Sequence, residues 1–243
     1  MHVMNNNVPC NNTERGEAMN VVFNHKSITT MLMVVMVCGA CKTTGSKSTS
    51  SASSSSSTSA PFKPSSDARK DLGDALHKLS NAFPYRVTET TTTSSSGQAA
   101  ANETTRVLDF VAADRYRVKL SSGDGGEVEL ITIGDKSYSK EDGKWTEDPN
   151  PQKQNQRVDL EKNLADAIKD VTYAGPETVN GVSCFVYNYT IQMAGYAGTG
   201  KTSVRASDGL PLQSDSEFKY KNVESKSHVV YEYNADVKVE APM

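Results

Sequence analysis

The chain has 243 residues, with 26 Lys and Arg against 29 Asp and Glu for a formal charge of −3, and four cysteines. So mild an acidic balance lacks the clustered basic face that binds nucleic acid. Cys10 and Cys38 fall in a leader and Cys41 at its end, so Cys184 stands alone, no disulfide staples the folded part, and stability rests on an apolar core of single-domain length.

Residues 1–18 are polar, and Met19 would give a leader of more ordinary length. His25 and Lys26 precede an almost uncharged run, Ile28 to Cys41, whose apolar centre is Met31 to Val37. That centre is far short of the roughly 20 residues a membrane-spanning helix needs, but it suits the apolar region of an export signal. Gly39-Ala40-Cys41 closes the run and resembles the bacterial lipobox, with Cys38 where Leu is usual. The resemblance implies cleavage before Cys41 and thioether-linked diacylglycerol on its thiol. An ordinary signal cut elsewhere, or an uncleaved anchor, is the alternative. Lys42 to Ser66 is Ser, Thr, Lys and Pro with little else, which cannot bury enough apolar surface to order itself. The expected organisation is therefore a signal over 1–40, a lipidated flexible tether over 41–66 and a folded domain over 67–243.

The domain opens with Ala68, Leu72, Ala75, Leu76, Leu79 and Phe83 at helical spacing, capped by Ser66 or Asp67 and ended by Pro84. From Tyr85 the period becomes two. Tyr85–Thr93 and Thr104–Val111 read as strands about a soft turn, with Leu108 and Phe110 on one face. In Arg115–Leu120, Tyr116, Val118 and Leu120 alternate with Arg115, Arg117 and Lys119, so one side is expected to be wet. Glu127–Ile133 follows with Val128 and Leu130 inward, then short strands carrying Tyr138 and Trp145 between tight Gly turns. Such reversals build a meander.

After a polar loop over 148–157, Val158, Leu160, Leu164, Ala167 and Ile168 predict a second helix. Asn180-Gly181 is the strongest short hairpin signal. Val182–Ile191 leaves it with Phe185, Tyr187, Tyr189 and Ile191 on one face and Cys184 and Val186 on the other. Lys201–Ala206, Leu210–Tyr220 and Ser227–Tyr233 complete about eleven strands, giving an α+β class with a wholly antiparallel sheet.

Gly195 to Thr202 satisfies the phosphate-loop pattern letter for letter, but the alternating residues after it cannot open the helix that phosphates need; we read it as a Gly-rich hairpin loop. After the leader only His77 and His228 remain, there is no Gly-x-Ser-x-Gly elbow, and no His or Cys ligands recur at metal spacing. Asp124, Glu127 and Glu129 beside Gly-rich turns are at most a weak calcium candidate. No catalytic residue, metal, nucleotide or other cofactor is expected.

Gly134-Asp135-Lys136-Ser137-Tyr138 answered by Gly143-Lys144-Trp145, Asn180-Gly181-Val182 with Cys184–Tyr187, Asp208-Gly209-Leu210-Pro211-Leu212, and the closing Val237 to Pro242 resemble the lipoprotein-sorting carriers of the LolA and LolB family, with the mycobacterial carriers LppX and LprG as relatives. The resemblance runs from about Asp67 to Pro242 and lies mostly in turn chemistry. It implies an unclosed β-barrel, a strongly curved antiparallel sheet of about eleven strands covered by two or more helices, whose concave face accepts acyl chains. The residues reach a similar place independently. Leu108, Phe110, Tyr116, Val118, Leu120, Val128, Leu130, Phe185, Tyr187, Val204, Leu212, Phe218, Val229 and Tyr231 offer an apolar face too wide for two short helices. A core filled completely by helices and loops is the alternative. The expected protein is non-enzymatic and monomeric. It is lipid-anchored in the cell envelope on the periplasmic or extracellular side, and binds lipid or lipoprotein acyl chains; an envelope-stress sensor that binds a protein partner through the same fold is the other reading.

Overall fold

The computed structural model describes residues 61–95, 101–149, 167–193 and 196–242. The signal, Cys41, most of the tether, and Val158, Leu160 and Leu164 of the second expected helix lie outside these residues. One helix, α1 (Ala68–Leu79), precedes strands β1 (Tyr85–Ser95), β2 (Asn102–Ala112), β3 (Arg115–Ser122), β4 (Glu127–Ile133), β5 (Lys136–Glu141) and β6 (Lys144–Glu147). Then come β7 (Ile168–Val179), β8 (Val182–Met193), β9 (Tyr196–Arg205), β10 (Pro211–Tyr220) and β11 (Val223–Tyr233). They form one open sheet in the order β6-β5-β4-β3-β2-β1-β11-β10-β9-β8-β7. Two antiparallel meanders are thus joined where the first strand meets the last, Tyr85 opposite Tyr233.

Local chemistry accounts for the elements. Asp67 is the cap, its carboxylate accepting from the Lys70 N–H at 3.0 Å. Leu72, Ala75 and Leu79 form the buried stripe of α1. Asn180 and Gly181, with φ of 50° and 80°, make the primed turn that matches the strand twist between β7 and β8. The helix also shows that the sheet curves. Leu72 packs with Tyr187 and Val204 of β8 and β9, while Leu79 packs with Tyr85, Leu108 and Phe110 of β1 and β2. Strands β2 and β8 are five spacings apart, about 24 Å in a flat sheet. The two leucines are separated by only about 10 Å of helix, so the sheet curls around them.

The edges are β6 and β7. The first has four residues. The second carries register shifts between Lys169 and Thr172 and between Tyr173 and Gly175, positive φ at Asp170 and Gly175, and Pro176.

Several expectations need correcting. Ile168, placed on the second helical stripe, opens β7; of that stripe's described residues only Ala167 is helical. Tyr196–Gly200 belongs to β9 rather than to a hairpin loop, and the strand continues through Lys201 and Thr202. Its glycines serve packing: a Cβ on Gly200 would clash with the Tyr189 ring, and one on Gly198 would stand 2.8 Å from Phe218 Cδ1. The tether joins the domain earlier than expected. Phe62 N–H donates to the Ala206 carbonyl at 2.9 Å, its ring lies 5.9 Å from that of Phe185, and the Ser65 N–H donates to Asp71 Oδ2 at 2.7 Å.

The face bearing Arg115, Arg117 and Lys119 is not simply wet, because its neighbours and the C-terminal tail cover part of it. Asp109 is buried there, accepting from Arg86 Nε at 2.6 Å and Arg117 Nε at 3.2 Å. Burial pushes the Asp109 carboxyl up, but the two guanidiniums outweigh it and hold it below the usual carboxylate range. Glu129 is buried near Lys140 Nζ at 3.7 Å and Lys119 Nζ at 3.9 Å. Val239 and Ile131 are buried on the same side.

Candidate functional site

Because directly paired residues of antiparallel strands share a face, the ladders show which side chains look inward with Tyr187 and α1. Leu108, Val118 and Leu130 fall in one row across β2–β4, and Phe110 with Tyr116 in the next. Leu120 and Val128 pair one step further along. Phe185 pairs with Val204, while Val229 reaches Tyr187 through Ser214 and Thr202. Phe218 meets Ile191 across Gly198. Tyr231 pairs with Val87 and shares the face. Of the fourteen expected residues only Leu212, at the register shift between Pro211 and Gln213, is not placed by its ladder.

The shared face is not one apolar surface. Leu108 and Phe110 are buried in a cluster with Leu79 and Tyr85, against which Tyr116, Val118 and Tyr231 pack. Tyr187 and Val204 are buried beneath α1, with Phe185 beside them. Phe218 belongs to a third cluster with Ala167, Ile168 and Ile191. Leu120, Leu212 and Val229 are half-buried, and toward the β6 edge Val128 and Leu130 remain 38% and 42% exposed.

Between these clusters the inner face turns polar, which the list of apolar residues did not anticipate. Glu89 and Arg106 are directly opposite one another on β1 and β2, with Leu120 beyond Arg106 and Val229 beyond Glu89. They are 7% and 5% exposed, and Arg106 Nη2 donates to Glu89 Oε2. Burial pulls the Arg106 guanidinium below its ordinary pKa against the charge of Glu89. Arg106 Nε is buried with no hydrogen-bond partner, as is Ser203 Oγ on the other face. Hydroxyls flank the pair: one step further Thr91 Oγ1 and Ser227 Oγ are 2.8 Å apart, and in the pair's own row beyond Val229 Thr202 Oγ1 and Ser214 Oγ are 2.9 Å apart. The signal was in the sequence. Arg106 keeps the same two-residue period as Leu108 and Phe110, and Glu89 that of Tyr85 and Val87.

The helix is held to the sheet by a polar contact as well as by leucines. The Tyr187 hydroxyl donates to the buried Asp71 carboxylate at 3.2 Å, and burial, then the Asp71 charge, pushes the phenol well above its ordinary pKa. His77 is exposed on α1, and exposed His228 places Nδ1 2.7 Å from Asp215 Oδ1. The latter pair lies in a groove of about 720 Å³ on the opposite sheet face, lined by polar and charged residues including Thr90, Asn188, Lys201 and Lys226. Of the calcium candidates, Asp124 accepts from the Gly126 N–H within its turn, while Glu129 is engaged by lysines and Arg117.

No protein-family model and no curated protein matches the chain. Among solved structures it is similar to the lipoprotein LppX of Mycobacterium tuberculosis, at 11% identity over 71% of this chain and 98% of that chain, with a TM-score of 0.44. It is similar to LprF of Mycobacterium bovis at 11% identity over 74% and 99%, TM-score 0.46. A LolA superfamily protein from Nitrosomonas europaea matches at 9% identity over 65% and 88%, TM-score 0.32.

Proposed function

We propose that this chain is an envelope lipoprotein, anchored through a diacylglyceryl group on Cys41, that binds or transfers lipid or lipoprotein acyl chains on its inner sheet face without catalysing a reaction. The observation that carries this reading is the gradient of cover across that face. Beneath α1, Tyr187 and Val204 are fully buried; in the rows of β3 and β4, Val118 and Leu120 are half-buried and Val128 and Leu130 exposed. Adjacent apolar side chains left to water on a concave face provide the surface an acyl chain would cover. Native mass spectrometry of the purified chain tests the reading. Adducts of lipid mass that leave on denaturation are the expected result; a clean mass together with a bound protein would favour the regulatory, protein-binding alternative.

The anchor has its own test. Metabolic labelling with a fatty-acid analogue should mark the wild-type chain and leave Cys41→Ser unlabelled, whereas label retained by Cys41→Ser would remove the anchor from the proposal.

A further inference from the structure

We propose that Arg106 is the polar anchor of the inner face, its Nε–H donating to an uncharged carbonyl oxygen of the ligand, an ester or amide where acyl chain meets headgroup. The inference rests on the acyl-chain reading above. Arg106 projects among Leu108, Leu120 and Val229 on the face that carries the apolar clusters. It spends Nη2 on Glu89 and leaves Nε without a partner, although the residue is 5% exposed. A buried charged donor without an acceptor is costly, and an acceptor brought by the ligand removes that cost.

The chemistry of the acceptor follows from the surroundings. Glu89 neutralises the guanidinium, so an anionic headgroup would gain little net attraction and would be repelled by the carboxylate at close range. The buried Nε–H has no acceptor, and one carbonyl oxygen supplies it. Position points the same way. Apolar rows through Leu108 and Val118 lie on one side of the pair, and on the other lie Thr91, Thr104 and Ser227. An ester lipid has the same order, with hydrocarbon, carbonyl and hydroxylated headgroup in sequence.

The test is competition against a fluorescent acyl probe on the full-length chain, using a diacylglycerol and the dialkyl ether of the same chain length, which lacks only the carbonyls. The diacylglycerol should bind about tenfold tighter, a difference of about 1.4 kcal/mol. In Arg106→Met/Glu89→Met, which keeps the apolar volume, the preference should vanish while the ether binds as before. Equal affinities in the wild type, or a preference surviving in the double variant, would overturn the inference and leave the acyl-chain reading standing. If the probe itself does not bind, both fall; if it binds and neither compound displaces it, the inference falls and the acyl-chain reading stands. Should the double variant fail to fold by circular dichroism, the wild-type comparison of ester with ether decides alone.

Discussion

Replacing Arg106 alone with Met is expected to lower the unfolding free energy by about 3–5 kcal/mol, and Glu89→Met alone by a similar amount, each leaving an uncompensated buried charge. The double replacement is expected to be neutral or stabilising by about 1–4 kcal/mol. The two side chains face each other across β1 and β2 with less than a tenth of either exposed. Each gains attraction from its partner but loses water, and with Arg106 Nε unpaired the hydrogen bonds do not make up the difference. Urea unfolding at pH 7 gives all three values. Strict additivity of the single changes would show that the pair is not coupled as its geometry requires.

The second large effect belongs to Val118→Trp. Val118 lies between Leu108, which is buried, and Leu130, which is 42% exposed, in one row across β2–β4. An indole there has open space toward β4. The variant should displace a fluorescent fatty-acid probe while its melting temperature hardly falls. In a closed core the same ring would force its neighbours off their rotamers, at a cost of about 1–3 kcal/mol. There Val118→Ala would cost about 0.5–1.5 kcal/mol through lost burial alone. A destabilised Val118→Trp chain that binds probe like wild type would exclude an acyl chain from this row.

The sheet was legible because local chemistry set it. The alternation of Tyr116, Val118 and Leu120 fixes a register that slipping one residue would invert, and Asn180-Gly181 selects the turn between β7 and β8. The β1–β11 pairing had no comparable signal, since it joins strands over a hundred residues apart through Tyr85 and Tyr233. Phe62 escaped notice for a related reason: it lies in an irregular segment without periodicity, and only tertiary contact gives it a packed partner. The site was partly legible. Choosing the apolar residues of each strand found the hydrophobic clusters but passed over Glu89 and Arg106, although the same period placed them inward. Hydrophobicity names what fills a core, while the period names what faces it, and the two diverge where polar groups are buried.

The two borders of the sheet bear on how the molecule behaves in numbers. An unclosed sheet offers unpaired backbone at both ends, and a second copy could add its own strand there and polymerise into a fibre. At one end β6 allows only four residues of such pairing. At the other the interruptions about Asp170 and Gly175 spoil a straight template, and Pro176 contributes no N–H. Copies at high concentration can therefore remain discrete particles while the curved sheet stays open.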